Sequence, residues 1–339
     1  MTTRLDAVTQ WVRQQPGFEQ ATLAPVSGDA SFRRYFRVLA AGSAIVMDAP
    51  PEREDCRPFI AIANHWRAQG ISVPAVLAED LEQGFLLLED FGDELMLSQL
   101  DDNTADRLYG NAMAELCRIQ QVRDNPSRPL PPYDSTLLDR EMALFPDWLI
   151  TRQLGLQLSN QDHAMLDTAF AFLRESALAQ PQVTVHRDYH SRNLLIRPDS
   201  ERPGVIDFQD AVRGPITYDL VSLLKDCYIS WPEPRLSQWV EDYRQLSLDA
   251  GLHRADHDTF RQWLELMGMQ RHLKAAGIFA RLAIRDSKSR YLDDVPRTVD
   301  YLVKASGRQP ALRRFHAWLL EVVTPALETN LTDTTRGSS

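Results

Sequence analysis

The segment that most constrains this chain is residues 183–208, where short apolar runs alternate with polar residues. The first run ends in H-R-D at 186–188, and Asn193 follows Asp188 by five residues. A second run, residues 194–196, leads into a turn rich in charged residues, and a third run ends at Asp207. Apolar runs separated by such a turn indicate two short strands in a hairpin. We therefore predict that the open end of this hairpin brings Asp188, Asn193 and Asp207 together.

These three side chains are the groups that phosphoryl transfer requires. Residues 186–193 match H-R-D-x-x-x-x-N with its full spacing. A carboxylate must hold the attacking hydroxyl, and hard oxygen ligands beside it must hold Mg²⁺ against the phosphates. Asp188 suits the first role, while Asn193 and Asp207 suit the second. Each of these residues alone is also common in ordinary turns, but their combination favours phosphoryl transfer from ATP with Mg²⁺.

The order of predicted elements indicates an α+β fold with two lobes. A helix at 2–15 capped by Thr3 precedes strands at 18–26, 32–39 and 44–47, a helix through residue 66, and strands at 73–78 and 84–88. Helices are then predicted at 104–122, 136–153, 161–178, 215–229, 235–250, 256–286 and 309–324. We expect a bilobal, protein-kinase-like chain, with a small β-sheet nucleotide-binding lobe at 1–91, a mostly helical catalytic and substrate-binding lobe at 92–328, and a polar tail at 329–339.

Two segments of the first lobe are candidates for ATP contacts. The segment S-G-D-A-S-F-R-R joins the first two strands, where backbone amides could cradle phosphates; an ordinary hairpin turn explains it equally well. Its candidate residues are Ser27, Gly28, Asp29, Ala30 and Ser31. Glu89 and Phe91 lie in the linker between the lobes, whose backbone could meet an adenine edge.

The second lobe carries further candidates. Asp219 lies near a predicted helix start, where a negative charge is favourable, and we expect it to brace the catalytic loop. A basic segment at 269–290 includes Arg271, Lys274 and Arg281. It is either a solvated helix face or the wall of a pocket for an anionic substrate. No histidines stand at metal-ligand spacing, so we expect His190 to form hydrogen bonds, and it is a further candidate for the acceptor side.

Composition excludes several other classes of protein. The formal net charge of -10 disfavours nucleic-acid binding. Its three cysteines form no C-x-x-C pair, which argues against a zinc site or a disulfide framework. Without a leader-like apolar segment or a run of about 20 apolar residues, we expect a soluble cytoplasmic monomer.

Over roughly residues 18–327, the chain resembles the aminoglycoside phosphotransferase family. The resemblance is carried by H-R-D-Y-H-S-R-N-L-L-I, V-I-D-F and G-P-I-T-Y-D-L. It is the small-molecule branch of the kinase fold that has a histidine two residues after the aspartate and no intact D-F-G. The resemblance implies that Asp188 is the catalytic base and that Asn193 and Asp207 hold Mg²⁺. His186 and Asp219 would support the loop.

Other segments, including S-G-D-A-S-F-R-R-Y-F-R-V and Q-R-H-L-K-A-A-G-I-F-A-R-L, resemble bacterial anomeric amino-sugar kinases of cell-wall recycling. This implies transfer from ATP to the C1 hydroxyl of N-acetylmuramate and N-acetylglucosamine. One departure is Met47, where kinases carry a lysine on the third strand. Arg33 and Arg34 are the candidate replacements. A different acceptor (an aminoglycoside, choline, homoserine or thiamine) and a nucleotide-binding pseudokinase both stay open.

Overall fold

The computed structural model describes residues 3–26, 32–40 and 42–329. The chain forms two compact units. The first contains the residues up to Leu130 together with Ser191–Ala211, and the second contains Pro131–His190 and the residues from Val212 onward. The boundary predicted after residue 91 therefore differs from the limit of the first unit, and the functional division of the lobes stays a prediction.

A five-stranded antiparallel sheet forms the centre of the first unit, in the order β1-β2-β3-β5-β4. Its strands are β1 (Thr22–Pro25), β2 (Arg34–Leu39), β3 (Ser43–Asp48), β4 (Val76–Asp80) and β5 (Phe85–Glu89). Helices α1 (Arg4–Arg13), α2 (Arg57–Ala68) and α3 (Ala105–Gln121) and a 3-10 turn (Met96–Gln99) complete this part. The predicted order of three strands, a helix and two strands is confirmed.

Helix α1 packs on one face of this sheet. Thr3 caps the helix through a capping box with Asp6, as the sequence predicted for Thr3. Val8 and Val12 of α1 are fully buried against alternate residues of the strands, among them Val46. Because successive strand residues point to opposite faces, the remaining strand positions face away from α1. Each fully buried aliphatic side chain contributes about 1.5–3 kcal/mol.

The predicted hairpin is also part of the first unit. Strands β7 (Leu194–Arg197) and β8 (Ser200–Val205) pair antiparallel, with Leu194 opposite Val205. A bridge between Leu95 and Leu195 connects the hairpin to the chain that follows the sheet. Because Leu194 lies opposite Val205, the open end of the hairpin is flanked by Asn193 before β7 and by Asp207 after β8.

The second unit combines one small ribbon with helices. Strand β6 (Gln182–Val185) pairs antiparallel with β9 (Val212–Pro215). Its helices are α4 (Ser135–Met142), α5 (Asn160–Leu178), α6 (Tyr218–Leu224), α7 (Glu233–Asp249), α8 (His257–Asp286), α9 (Val295–Gly307) and α10 (Arg313–Trp318). Two π-helical segments (Phe145–Gln153 and Leu319–Val323) and two 3-10 turns (Ser289–Asp294 and Pro310–Leu312) connect them. Among the residues that the structure describes, no helix is long and apolar enough to cross a membrane.

Some helix predictions for this unit were wrong in part, and one helix was missed. The helix expected at 136–153 ends at Met142, and a π-helical segment with Pro146 near its start follows. The helix expected at 215–229 is strand β9 and then the short α6, because residues 212–215 pair with the distant β6. Helix α9 was missed, although Val295, Val299 and Leu302 lie at helical spacing on its buried side.

Candidate active site

The loop that carries Asp188 is held by Asp219. One carboxylate oxygen of Asp219 accepts the N–H of His186 at 2.6 Å, and the other accepts the N–H of Arg187 at 3.0 Å. Arg187 has a φ of 81°, which is strained for a side chain of this size. Burial raises the pKa of Asp219, against the opposing effects of His186, Arg271 and the two amides. Asp219 thus makes the contacts expected of a residue that braces the catalytic loop.

Asp188 is surrounded by positive charge. Burial raises the pKa of its carboxyl, but Lys274, Arg271, His190 and His186 outweigh burial and lower the pKa to about 2. Its own N–H donates to His186 Nδ1 at 3.2 Å. The side chain is therefore a carboxylate at neutral pH, and it is a weak base.

Lys274 and Arg271 are half-buried residues of the second unit whose side chains point to protein partners, which contradicts the expectation of a solvated basic face there. Lys274 Nζ lies 3.2 Å from Glu141 Oε1 and donates to the hydroxyl of Tyr218 at 3.0 Å. Arg271 donates to the carbonyl of Arg187 at 2.9 Å and lies over the Tyr218 ring at 4.3 Å. Arg271 therefore contacts the Asp188 loop directly, whereas Lys274 acts on Asp188 through its charge.

Glu141 is the buried counterion of this group, and the sequence did not reveal it. Arg187 Nη2 lies 2.7 Å from Glu141 Oε1, and the hydroxyl of Tyr133 donates to Oε2. Burial raises the pKa of Glu141, but Lys274 and Arg187 lower it to about 2. Nothing in the spacing of α4 separates this acid from the exposed acids of other helices, so only tertiary packing identifies it.

His190 and Arg281, the other two acceptor-side candidates, differ in setting. His190 Nδ1 is buried and has no hydrogen-bond partner within the part of the chain that the structure describes. The His190 ring meets the Tyr228 ring edge-on at 5.6 Å, and the backbone N–H of His190 donates to the carbonyl of Asp188 at 3.1 Å. Arg281 is half-buried on α8, and burial lowers its pKa. His190 is the candidate that lies beside Asp188.

Asn193 and Asp207 meet at the open end of the β7–β8 hairpin. The Asn193 Nδ2 lies 3.5 Å from Asp207 Oδ2, and Ile206 N–H donates to the Asn193 carbonyl at 3.1 Å. Gln209 Nε2 donates to Asp207 Oδ1 at 2.7 Å, and Asp207 has a φ of 65°. The prediction that Asn193 and Asp207 lie close together is therefore confirmed. Asp188 belongs to the second unit, so its approach to this pair stays a prediction.

The pair fits a magnesium ion. Among the described residues no cluster of three His, Cys, Asp or Glu side chains exists. Mg²⁺, however, is usually bound through one or two protein oxygens and completes its coordination with phosphates and water. A carboxylate and an amide at one hairpin end supply that donor set, and the Gln209 contact orients the carboxylate.

The predicted ATP contacts in the first unit are described only in part. Ser27, Gly28, Asp29, Ala30 and Ser31 lie outside the described residues. Glu89 donates its N–H to the Ala75 carbonyl at 2.9 Å, and its carboxylate pairs with Arg67 at 2.8 Å. Phe91 is 6 % exposed, and a Cβ on Gly204 would lie 2.4 Å from its ring. The side chains of Glu89 and Phe91 and the Glu89 N–H are therefore engaged within the protein, and the backbone contact with adenine stays a prediction.

A separate cavity of about 380 Å³ lies in the first unit. It is lined by residues of the 3-10 turn and α3, including Met96 and Leu108, and by residues 196–203 of the hairpin. None of the residues predicted for catalysis or for ATP lines it, so it carries no part of the candidate site.

Comparison with known proteins matches the phosphotransferase enzyme family to residues 22–263. The N-acetylmuramate/N-acetylglucosamine kinase of Pseudomonas putida is 43 % identical over 331 residues, which cover 94 % of this chain and 96 % of the relative. The protein of that name from Pseudomonas aeruginosa is 47 % identical over 294 residues, or 86 % of each chain.

Solved structures with the same fold are much more distant in sequence. The ADP-bound aminoglycoside phosphotransferase APH(2'')-Ib is 14 % identical, with a TM-score of 0.58 over 88 % of this chain and 98 % of that one. A choline/ethanolamine kinase family protein from Mesorhizobium loti is 14 % identical, with a TM-score of 0.61 over 94 % of this chain and 99 % of that one. These likenesses establish the protein-kinase-like fold alone.

Proposed function

Because the chain belongs to the phosphotransferase enzyme family, we propose that it transfers the γ-phosphoryl group of ATP to the C1 hydroxyl of N-acetylmuramate and N-acetylglucosamine. The observation that carries the proposal is the 43 % identity to an N-acetylmuramate/N-acetylglucosamine kinase across 94 % of this chain. The presence of Asp188, Asn193 and Asp207 supports chemistry as well as nucleotide binding.

Asp188 orients the acceptor hydroxyl and receives its proton. The hydroxyl oxygen bonds to the γ-phosphorus as the bond to the β–γ bridging oxygen breaks, and ADP leaves. A carboxylate with a pKa of about 2 is a poor proton acceptor, so proton transfer comes late, once the oxygen–phosphorus bond is forming. This agrees with the loose transition state of phosphoryl transfer, in which positioning matters more than a strong base.

Asn193 and Asp207 would hold Mg²⁺, which when bound neutralises charge on the phosphates. The buried Nδ1 of His190 supports a place for this residue beside the acceptor, since a buried ring nitrogen is rarely left without a partner. Lys274 and Arg271 act through Asp188, because Arg271 holds the Arg187 carbonyl of its loop and the charges of both cations lower the pKa of Asp188.

The acceptor is tested with a panel that contains both amino sugars, an aminoglycoside, choline, homoserine and thiamine. We expect ³¹P NMR to detect a sugar 1-phosphate from either amino sugar and no product from the others. Phosphate at another sugar position, or on another acceptor, would contradict the proposed specificity. If no acceptor is phosphorylated although ATP binds, the chain is a pseudokinase.

Asp188→Asn tests the proposed base. We expect kcat to fall about 10²- to 10⁴-fold, because the amide accepts no proton, while the Kd of ATP stays within about twofold. Asp199→Asn, at an exposed site in the hairpin turn, is the matched control and should keep wild-type kcat. Robust turnover by Asp188→Asn would remove Asp188 from the mechanism.

A further inference from the structure

The third strand of this kinase-like sheet presents no cation at the place where kinases carry their phosphate-binding lysine. Met47 occupies that place and is fully buried. Its cross-strand partners are Tyr35 on β2 and Leu86 on β5. A thioether has no positive charge, so a positive charge for the ATP phosphates must come from a residue other than Met47.

Arg34 is excluded because it is a structural cation on the α1 side of the sheet. It stands directly opposite Asp48 in the β2–β3 ladder, and its Nε lies 3.1 Å from Asp48 Oδ2. Arg4 of α1 donates to the other oxygen of the same carboxylate at 2.7 Å. Asp48 is fully buried, so removing Arg34 would leave a buried acid with one partner fewer.

Arg33 is in a different position. It directly precedes β2 and lies two residues before Tyr35, so continuing the alternation of the strand by one residue assigns it to the Met47 face. Arg33 Nη2 forms an ion pair at 3.0 Å with Glu54, and the two side chains are 13 % and 16 % exposed. Burial lowers the pKa of Arg33, but the charges of Tyr35, Glu54 and Asp207 raise it. Asp207, which we have assigned to Mg²⁺, is connected to the helix that follows Glu54, because its neighbour Phe208 packs on Phe59 of α2 with the ring centroids 4.8 Å apart.

We propose that the Arg33–Glu54 ion pair replaces the lysine–glutamate pair of kinases and that Arg33 is the cation for the ATP phosphates. This inference rests on the proposed function. Kinases pair the lysine of the third strand with both the phosphates and a helix glutamate. Here Glu54 precedes α2 by three residues, and Arg33 directly precedes the second strand. A guanidinium binds a carboxylate along one edge and a phosphate along another.

The test compares Arg33→Met with Arg34→Met, using calorimetric affinities for ATP and for adenosine. We expect Arg33→Met to weaken ATP binding about tenfold or more and to leave adenosine binding unchanged, because adenosine carries no phosphate. Arg34→Met should lower the thermal stability but keep the wild-type affinity for ATP in the folded protein. If Arg34→Met does not fold, Arg34→Lys, which keeps the charge beside Asp48, takes its place.

Two results would overturn the inference: wild-type ATP affinity in Arg33→Met, or loss of ATP affinity in folded Arg34→Met. A parallel loss of ATP and adenosine affinity in Arg33→Met would assign Arg33 a merely structural role and overturn it as well. The acceptor panel separates this inference from the proposed function. A wild-type protein that binds ATP but phosphorylates no amino sugar refutes the function, while the Arg33 comparison still stands. A wild-type protein that binds no ATP refutes both.

Discussion

The charge of Asp188 is set by side chains that belong to a helix far along the chain. Lys274 and Arg271 of α8 oppose the effect of burial and keep the pKa of Asp188 at about 2. A carboxyl whose pKa is lowered is charged at every pH well above that value. The acid side of the pH profile of kcat/KM, which reports the free enzyme, should therefore show no loss from Asp188 until pH is far below neutrality.

Lys274→Met should move this acid limb to higher pH. Removing one positive charge lets burial raise the pKa of Asp188, by about one pH unit or more for a charge at short range. Lys274→Arg keeps the charge and should retain the wild-type limb. The measurement is kcat/KM against pH for the folded fraction of each variant. Identical acid limbs in the wild type and Lys274→Met would mean that Lys274 does not set the charge of Asp188.

For single residues, the sequence predicted which side chains carry the chemistry better than it predicted which side chains surround them. Asn193 and Asp207 were predicted to meet, and they do, because a short hairpin fixes the distance between its ends. The burial of Lys274 was not predicted. Its partners Glu141 and Tyr218 are far away in the chain, and a spacing pattern contains no information about which helix covers a residue.

Single elements depend on close packing at particular glycines. Gly277 of α8 lies against the backbone at Leu144, just before the π-helical segment, and a Cβ there would be 2.3 Å from the Leu144 carbonyl carbon. Gly268 of the same helix has no atom closer than 3.7 Å to such a Cβ. The two positions therefore separate the effect of packing from that of helix propensity.

Gly277→Ala should destabilise the protein and Gly268→Ala should stabilise it slightly. Overpacking a tight contact costs about 1–3 kcal/mol, whereas alanine in place of a helical glycine gains roughly 0.5–1 kcal/mol. Urea unfolding measured by circular dichroism gives both free energies. A stabilised Gly277→Ala variant would show that α8 moves away from Leu144 at little cost.

Elements that the sequence missed are those determined by distant pairing. Strand β9 has only four residues and exists because β6 pairs with it, so no local period reveals it. The π-helical segment Phe145–Gln153 has the composition of a helix, and its altered winding depends on the contact with α8. Long helices with internal periodicity, such as α5 and α8, were predicted within about two residues of their ends.

For the whole molecule, the fold and the class of reaction were readable from sequence, but the source of the phosphate-binding cation was not. Arg33 and Arg34 are adjacent and identical in type, so the sequence left both as candidates. Strand register distinguishes them, because it sets Arg34 opposite Asp48. The contact limits of the units also could not be predicted, since α3 and the hairpin join the first unit through contacts between distant segments.

Two acids with the same lowered pKa should affect stability differently. Glu141 and Glu241 each have a pKa of about 2, but the Glu141 side chain is 6 % exposed and the Glu241 side chain 37 %. A depressed pKa adds stability above the unfolded-state value, 4.5 for Glu141, and this stability is lost as pH falls towards 2. Glu141→Gln leaves Arg187 and Lys274 buried without their anion, so we expect a loss of about 3–5 kcal/mol at pH 7.

Glu241→Gln, at a site where the Glu241 and His257 side chains are 37 % and 47 % exposed, should cost only about 0.2–1 kcal/mol. Urea unfolding at pH 7 and at pH 3, followed by tryptophan fluorescence, measures both variants. Between these pH values the wild type should lose more stability than Glu141→Gln, because the variant has no proton to gain at that position. Equal losses of unfolding free energy for the two substitutions at pH 7 would contradict the view that burial strengthens the ion pairs of Glu141 with Arg187 and Lys274. A large loss of unfolding free energy for Glu141→Gln alone would establish that the cluster of Glu141, Arg187 and Lys274 stabilises the fold as well as setting the charge of Asp188, the proposed base.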